Sequence, residues 1–117
     1  MKKPGLILLV LCNACATSSK QAVLSQAGDP ACIGQMIKKF ETEVKQNPPR
    51  SIYIYRYREQ LVYYVPALCC DQFSDLYDSS CNLLGHPDGG FSGKGDGNYP
   101  DFDKTRTGEK LVWKDSR

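Results

Sequence analysis

Apolar and polar residues follow different rhythms along this 117-residue chain, and each rhythm predicts an element. In "DPACIGQMIKKFETEVKQNPP", Ile33, Met36, Ile37, Phe40 and Val44 recur at helical spacing, while Lys38, Lys39, Glu41 and Lys45 face away. Asp29 suits the N-cap, Pro30 the first turn, and Pro48 and Pro49 a stop. The apolar stripe reads as a packing face against a sheet.

In "SIYIYRYREQLVYYVPA" the period drops to two. Tyr53, Tyr55 and Tyr57 take one face, and Ile52, Ile54, Arg56 and Arg58 the other. Arg58 to Gln60 forms a polar turn, and Leu61 to Val65 returns as the second strand of a hairpin, stopped by Pro66. A tyrosine row can stack on sugars or hold a peptide, but aromatic residues also favour half-buried strands, and packing is the reading adopted. "LCCDQFSDLYDSSCNLLG" reads as a loop with a helical turn near Gln72 to Tyr77. "EKLVWKD", from Glu109 to Asp115, reads as a last strand, with Trp113 packing into the core or over the helix. The pattern predicts an α+β domain over residues 29–117. One amphipathic helix packs on an antiparallel sheet of about three strands, with a glycine-rich loop held outside.

The N-terminus has a different character. "MKKPGLILLVLCNACATSSK" places Lys2 and Lys3 before the apolar run Leu6 to Leu11, then small or polar residues and Cys15. This is the layout of a secretory signal. Ala14–Cys15 resembles the cleavage site of bacterial lipoproteins, where the cysteine is lipidated and becomes the new N-terminus. Residues 1–14 are the expected signal peptide, Cys15 the lipidation site, and residues 15–28 a polar tether. No aspartate follows Cys15, which by resemblance to lipoprotein sorting indicates the outer membrane. A plain secretory signal cut near Ala16 is the competing reading.

Charge and cysteine usage sharpen this picture. Without Lys2 and Lys3 the chain carries 13 basic against 13 acidic side chains and no basic run, so nucleic acid is not an expected partner. The expected contact is with a membrane, through the lipid, and the sequence names no protein or glycan partner. With Cys12 removed and Cys15 lipidated, four cysteines remain: Cys32, Cys69, Cys70 and Cys81. An even number in an exported domain predicts disulfides rather than a redox or zinc site. Adjacent residues of an extended segment point to opposite faces. Cys69 and Cys70 are therefore expected to take Cys32 and Cys81 as separate partners, in either order. A Cys69–Cys70 bond ranks last.

Glycine fills six of the thirteen positions from Gly85 to Gly97. The segment fails as a phosphate loop, because Asp88 and Gly95 occupy places that need glycine and a hydroxyl. It fails as a dinucleotide fingerprint, because Pro100 forbids the helix. It fails as a helix–loop–helix calcium loop starting at Asp96, because Asp101 falls on the obligatory glycine. Turn scaffolding is the reading adopted, since glycine supplies positive φ and aspartate binds nearby amides. The alternative is an irregular calcium site using Asp88, Asp96, Asp101 and Asp103. His86, followed by Pro87, is the lone histidine. Nothing resembles a nucleophile elbow, so no catalytic residue and no cofactor are assigned.

The segments "VYYVPALCCDQFSDLYD", "CNLLGHPDGGFSGKGDGNYPDF" and "LVW" together resemble a family of short bacterial lipoproteins known as domain of unknown function 6970. The resemblance runs from Cys32 to about Asp115. In that family two further cysteines stand where this chain has Gly85 and Tyr99, which implies a bridge across the loop that is lost here as a unit. The resemblance implies an exported, lipid-anchored domain and no activity. The expected role is a non-catalytic envelope lipoprotein that binds or makes structural contact. A calcium module and a hydrolase inhibitor or small enzyme are the alternatives.

Overall fold

The computed structural model describes residues 28–69 and 71–117. The expected signal peptide, Cys15, the tether up to residue 27, and Cys70 lie outside the described residues. The chain folds as α+β. Helix α1 spans Ala31–Thr42. Five strands follow: β1 Ser51–Tyr57, β2 Gln60–Val65, β3 Asp75–Tyr77, β4 Leu83–Gly85 and β5 Thr107–Lys114. A single-turn helix, α2, occupies Phe102–Thr105. The strands form one antiparallel sheet in the order β4-β3-β2-β1-β5. No helix among the described residues is long and apolar enough to cross a membrane.

The stripe of α1 buries Ile33 and Phe40 against Ile52, Tyr63 and Val65, with Ile54, Tyr77, Val112 and Trp113 around them. Trp113 meets the Phe40 ring at 6.0 Å, so it packs between helix and sheet as expected. Two details of the helix differ from the sequence reading. Asp29 does not cap it; the N-cap is Pro30, and the Asp29 carboxylate accepts a bond from the Tyr63 hydroxyl at 2.9 Å. Val44 does not extend the stripe. The helix ends at Thr42, Glu43 is extended, and Val44 is 80% exposed.

The hairpin of β1 and β2 pairs Tyr53 with Tyr64, Tyr55 with Val62 and Tyr57 with Gln60. Gln60 therefore belongs to the strand, and the turn is only Arg58–Glu59, with φ of 49° and 64°. Two left-handed residues match the twist of a two-residue hairpin, normally a task for Asn-Gly. Here Arg58 is held from outside. Its guanidinium bonds Asp101 at 3.0 Å and lies over the rings of Tyr57 and Tyr99.

The helical turn expected near Gln72 to Tyr77 does not form. Asp75–Tyr77 is instead β3, paired with β2 through Tyr63–Tyr77, Tyr64–Leu76 and Val65–Asp75. Leu76 is fully buried. Local pattern cannot type a three-residue segment, and non-local pairing decides it. The last strand starts at Thr107 rather than Glu109 and stops before Asp115.

The disulfide pairing also differs from expectation. Cys32 is bonded to Cys81, with their Cα atoms 6.1 Å apart. This ties the first turn of α1 to the turn between β3 and β4. Cys69 is disulfide-bonded too, so its partner is neither of these. The separate-partner scheme assumed an extended segment at Cys69, but β2 ends at Val65.

Candidate functional site

The glycine-rich segment is only partly outside the fold: Pro87 and Gly90 are buried, while residues 91–94 and 96–98 are exposed as expected. Together with Tyr99 and α2 it forms the layer over the second face of the sheet. That face presents Tyr53, Tyr55, Tyr57, Val62, Tyr64 and Leu76, too apolar a surface to leave to water. Phe102, 1% exposed, plugs it from α2. Its ring meets Tyr57 edge-on at 5.1 Å and Tyr55 at 5.6 Å, and lies 5.4 Å from Tyr64. Arg106 spreads its guanidinium over Tyr55 and Phe102, at 4.5 and 5.1 Å from their centroids. Tyr55 and Tyr57 are thus core residues, as the packing reading required.

Between Gly85 and Tyr99 the chain folds back on itself. The amide of Asp96 donates to the carbonyl of His86 at 2.9 Å, that of Gly95 to Gly89 at 3.0 Å, and that of Gly93 to Gly90 at 3.3 Å. The amide of Gly90 donates to the carbonyl of Gln72 at 2.9 Å, fixing the loop to the β2–β3 connection. Gly95 shows why this composition is needed. Its φ is +62°, and a Cβ there would strike the carbonyl oxygen of His86.

The four aspartates considered as calcium ligands do different jobs and do not converge. Asp88 accepts bonds from Ser74 Oγ at 2.5 Å and from the Tyr64 hydroxyl at 2.8 Å. Asp96 accepts the amides of Asn98 and His86, both at 2.8 Å, which hold its carboxyl below the usual range. Asp101 accepts the Tyr57 hydroxyl at 2.7 Å and Arg58 at 3.0 Å, and these lower it as well. Asp103 pairs with Arg106 at 2.7 Å. Among the described residues, no group of three or more His, Cys, Asp or Glu could hold a metal ion.

Ser74, His86 and Asp88 are close but do not form a proton relay. The Ser74 hydroxyl donates to Asp88, not to the imidazole, and Ser74 is 1% exposed. His86 Nδ1 faces the Ser74 carbonyl at 3.1 Å and the Asp75 carboxylate at 3.0 Å, and its ring stacks on Phe73. Ser74 Oγ also accepts the amide of Ala67 at 2.9 Å. The Ser74–Asp88–Tyr64 cluster is a polar brace that joins three segments. Burial, above all, and then the bond to Asp88 push the Tyr64 phenol up to about 12, so it stays a neutral donor. Ser74, Tyr64 and Arg106 were not singled out from the sequence. Ser74 and Arg106 occupy ordinary loop context, and Tyr64 reads as one more strand aromatic.

One groove opens beside this layer. It encloses about 670 Å³ and is lined by Pro87, Gly93, Lys94, Tyr99, Pro100 and Asp103, with Asp88 and Phe102 in its floor. The walls are mainly proline and aromatic carbon, and the charged side chains are Lys94 on the loop side, Asp103 on α2, and Asp88, whose carboxylate is bonded to Ser74 and Tyr64.

Residues 38–115 match the model of the family described as Domain of unknown function (DUF6970), two-thirds of the chain and all five strands of the sheet. The chain belongs to this family. No curated protein and no solved structure matches it. The DUF6970 resemblance implied a cysteine pair at positions 85 and 99, and here these residues lie against each other. A Cβ added to Gly85 would lie 2.6 Å from the Tyr99 ring, whose hydroxyl donates to the Leu84 carbonyl at 3.0 Å. In this member the Tyr99 ring packs against Gly85, and its hydroxyl is bonded to the preceding residue, Leu84.

Proposed function

We propose that the protein is an exported envelope lipoprotein, held to the outer membrane by acyl chains on Cys15, whose domain binds or makes structural contact rather than catalysing a reaction. The anchoring half of this reading is supported by the Lys2–Lys3, Leu6–Leu11 and Ala14–Cys15 pattern and by a disulfide-braced domain. The observation that carries the non-catalytic half is the internal use of the polar groups around the glycine-rich layer. Ser74, Tyr64 and Asp88 hold one another, Asp96 holds its own loop, and Tyr57 and Arg58 hold Asp101.

Intact-mass measurement of protein purified from membranes tests the anchor. Loss of residues 1–14 with an added acyl mass is expected, and Cys15→Ser should leave residues 1–14 uncleaved and the acyl mass absent. A retained start methionine on the native chain removes the proposal. The competing calcium reading predicts a higher melting midpoint in calcium than in chelator, because a ligand that binds only the folded state raises it. Equal midpoints are expected here.

A further inference from the structure

We propose that the glycine-rich loop pairs the protein with a second copy of itself, the Phe91 of each copy filling the groove of the other. Phe91 is 100% exposed, the most exposed large apolar residue among those described. It occupies the apex of a turn closed by the Gly93 amide on the Gly90 carbonyl. Bonds from Gly90 to Gln72, from Gly95 to Gly89 and from Asp96 to His86 clamp the turn at its base. A side chain presented on a clamped turn needs little further ordering to dock, which is the property of an interface anchor.

The receptor for that anchor lies on the same loop. The groove, about 670 Å³, begins at Gly93 and Lys94 and has apolar walls of Pro87, Tyr99 and Pro100. It is roomy enough for a phenyl ring, yet Phe91 stays outside it. Because knob and groove adjoin, a two-fold axis near the loop sets each knob against the other copy's groove, and the contact closes on itself.

Charge fits the same arrangement. Lys94, three residues beyond Phe91, has no ion-pair partner among the described residues. Asp103 lines the same groove with its side chain 81% exposed, bonded only to Arg106. The two-fold arrangement carries each Lys94 towards the Asp103 of the second copy. A foreign partner would have to supply both an apolar socket and an acidic rim that this chain already has.

The test places the photo-crosslinker p-benzoylphenylalanine at position 91 of the full chain in cells. Irradiation is expected to yield a product of twice the chain mass, with the crosslink in residues 97–103 of the second copy. Lys94→Glu should cut that yield several-fold, and adding Asp103→Lys should restore it. Crosslinking to another protein or to lipid, no crosslink at all, or a double variant no better than Lys94→Glu would each overturn the proposal.

Discussion

Arg117 clasps Asp115 and, with the same guanidinium, closes the end of α1. Its Nη2 lies 2.7 Å from Asp115 Oδ2 and its Nε 3.0 Å from Oδ1. Nη1 donates to the carbonyls of Glu41 and Glu43, both at 3.0 Å, and Nη2 to that of Phe40 at 3.3 Å. The last carbonyls of a helix need donors and favour a cation, and Arg117 supplies both. The clasp joins the two ends of the domain, because the Asp115 amide also donates to the Arg50 carbonyl at 2.9 Å.

Asp115 should give the fold an acid limb. The side-chain bond from Arg117, then that residue's amide, hold its carboxyl at about 2. In the unfolded chain it titrates at roughly 3.9. A depressed folded value stabilises above the unfolded one, and that contribution disappears as pH falls from about 4 to about 2. Asp115→Asn is expected to lower the midpoint at pH 7 and to flatten the loss between pH 4 and 2. Thermal melts across that range check it, and an acid curve parallel to wild type contradicts it.

Two phenylalanines of the glycine-rich layer should behave oppositely in the isolated fold. Phe102 is 1% exposed, and Phe102→Ala should cost about 3–5 kcal/mol. Phe91 is fully exposed, and at concentrations low enough to keep the protein monomeric Phe91→Ala should change stability by less than about 0.5 kcal/mol. Urea unfolding of both variants measures the difference.

Gly93 and Gly95 separate conformational strain from collision. Both have positive φ, +79° and +62°, but only at Gly95 does a Cβ meet backbone; at Gly93 nothing lies within 4 Å. Gly93→Ala should cost about 1–2 kcal/mol for the left-handed conformation alone. Gly95→Ala should cost a further ~1–3 kcal/mol for overpacking. Equal denaturant midpoints would refute the collision with the His86 carbonyl.

The Cys32–Cys81 bond closes a separation of 49 residues. Replacing both cysteines by alanine should destabilise the domain by about 4 kcal/mol, from the loop-closure entropy restored to the unfolded chain. The variant should retain the far-ultraviolet spectrum of the native sheet and helix. A loss below about 1 kcal/mol would mean that the unfolded chain already holds these segments together.

The tyrosines should make the protein sensitive to alkali. Burial first, and bonding or charge from Asp101, Asp88 and Asp75 next, push Tyr57, Tyr64 and Tyr77 up to about 12. A phenol raised above its unfolded value of about 10 stabilises below that pH, and the contribution is lost as pH rises towards 12. The phenolate absorbance of Tyr57, Tyr64 and Tyr77 should therefore appear late and together with loss of circular dichroism. Ordinary titration of these three phenols near pH 10 in a folded protein would contradict it.

The sequence by itself determined the elements whose signal is local. The 3.6-residue stripe from Ile33 to Phe40 specifies α1, and strict alternation from Ser51 to Tyr57 specifies β1 and the split between its isoleucine and tyrosine faces. The same alternation marks the tyrosine row as packing surface, and glycine with aspartate from Gly85 to Asp96 marks a chain that turns back repeatedly. Family membership was legible as well, since the glycine segment is its most particular stretch.

Only the tertiary structure decided what depends on partners distant in sequence. β3 exists because β2 and β4 flank it, not because "DLY" prefers to be extended. The end of α1 at Thr42 is closed by Arg117, more than seventy residues away. Cys32 finds Cys81 because the helix crosses the sheet towards the β3–β4 turn. The glycine-rich segment becomes a layer because Phe102 can bury itself on the tyrosine face. Each is a long-range contact won by packing against loop-closure entropy, and no local window of sequence contains both sides of that balance.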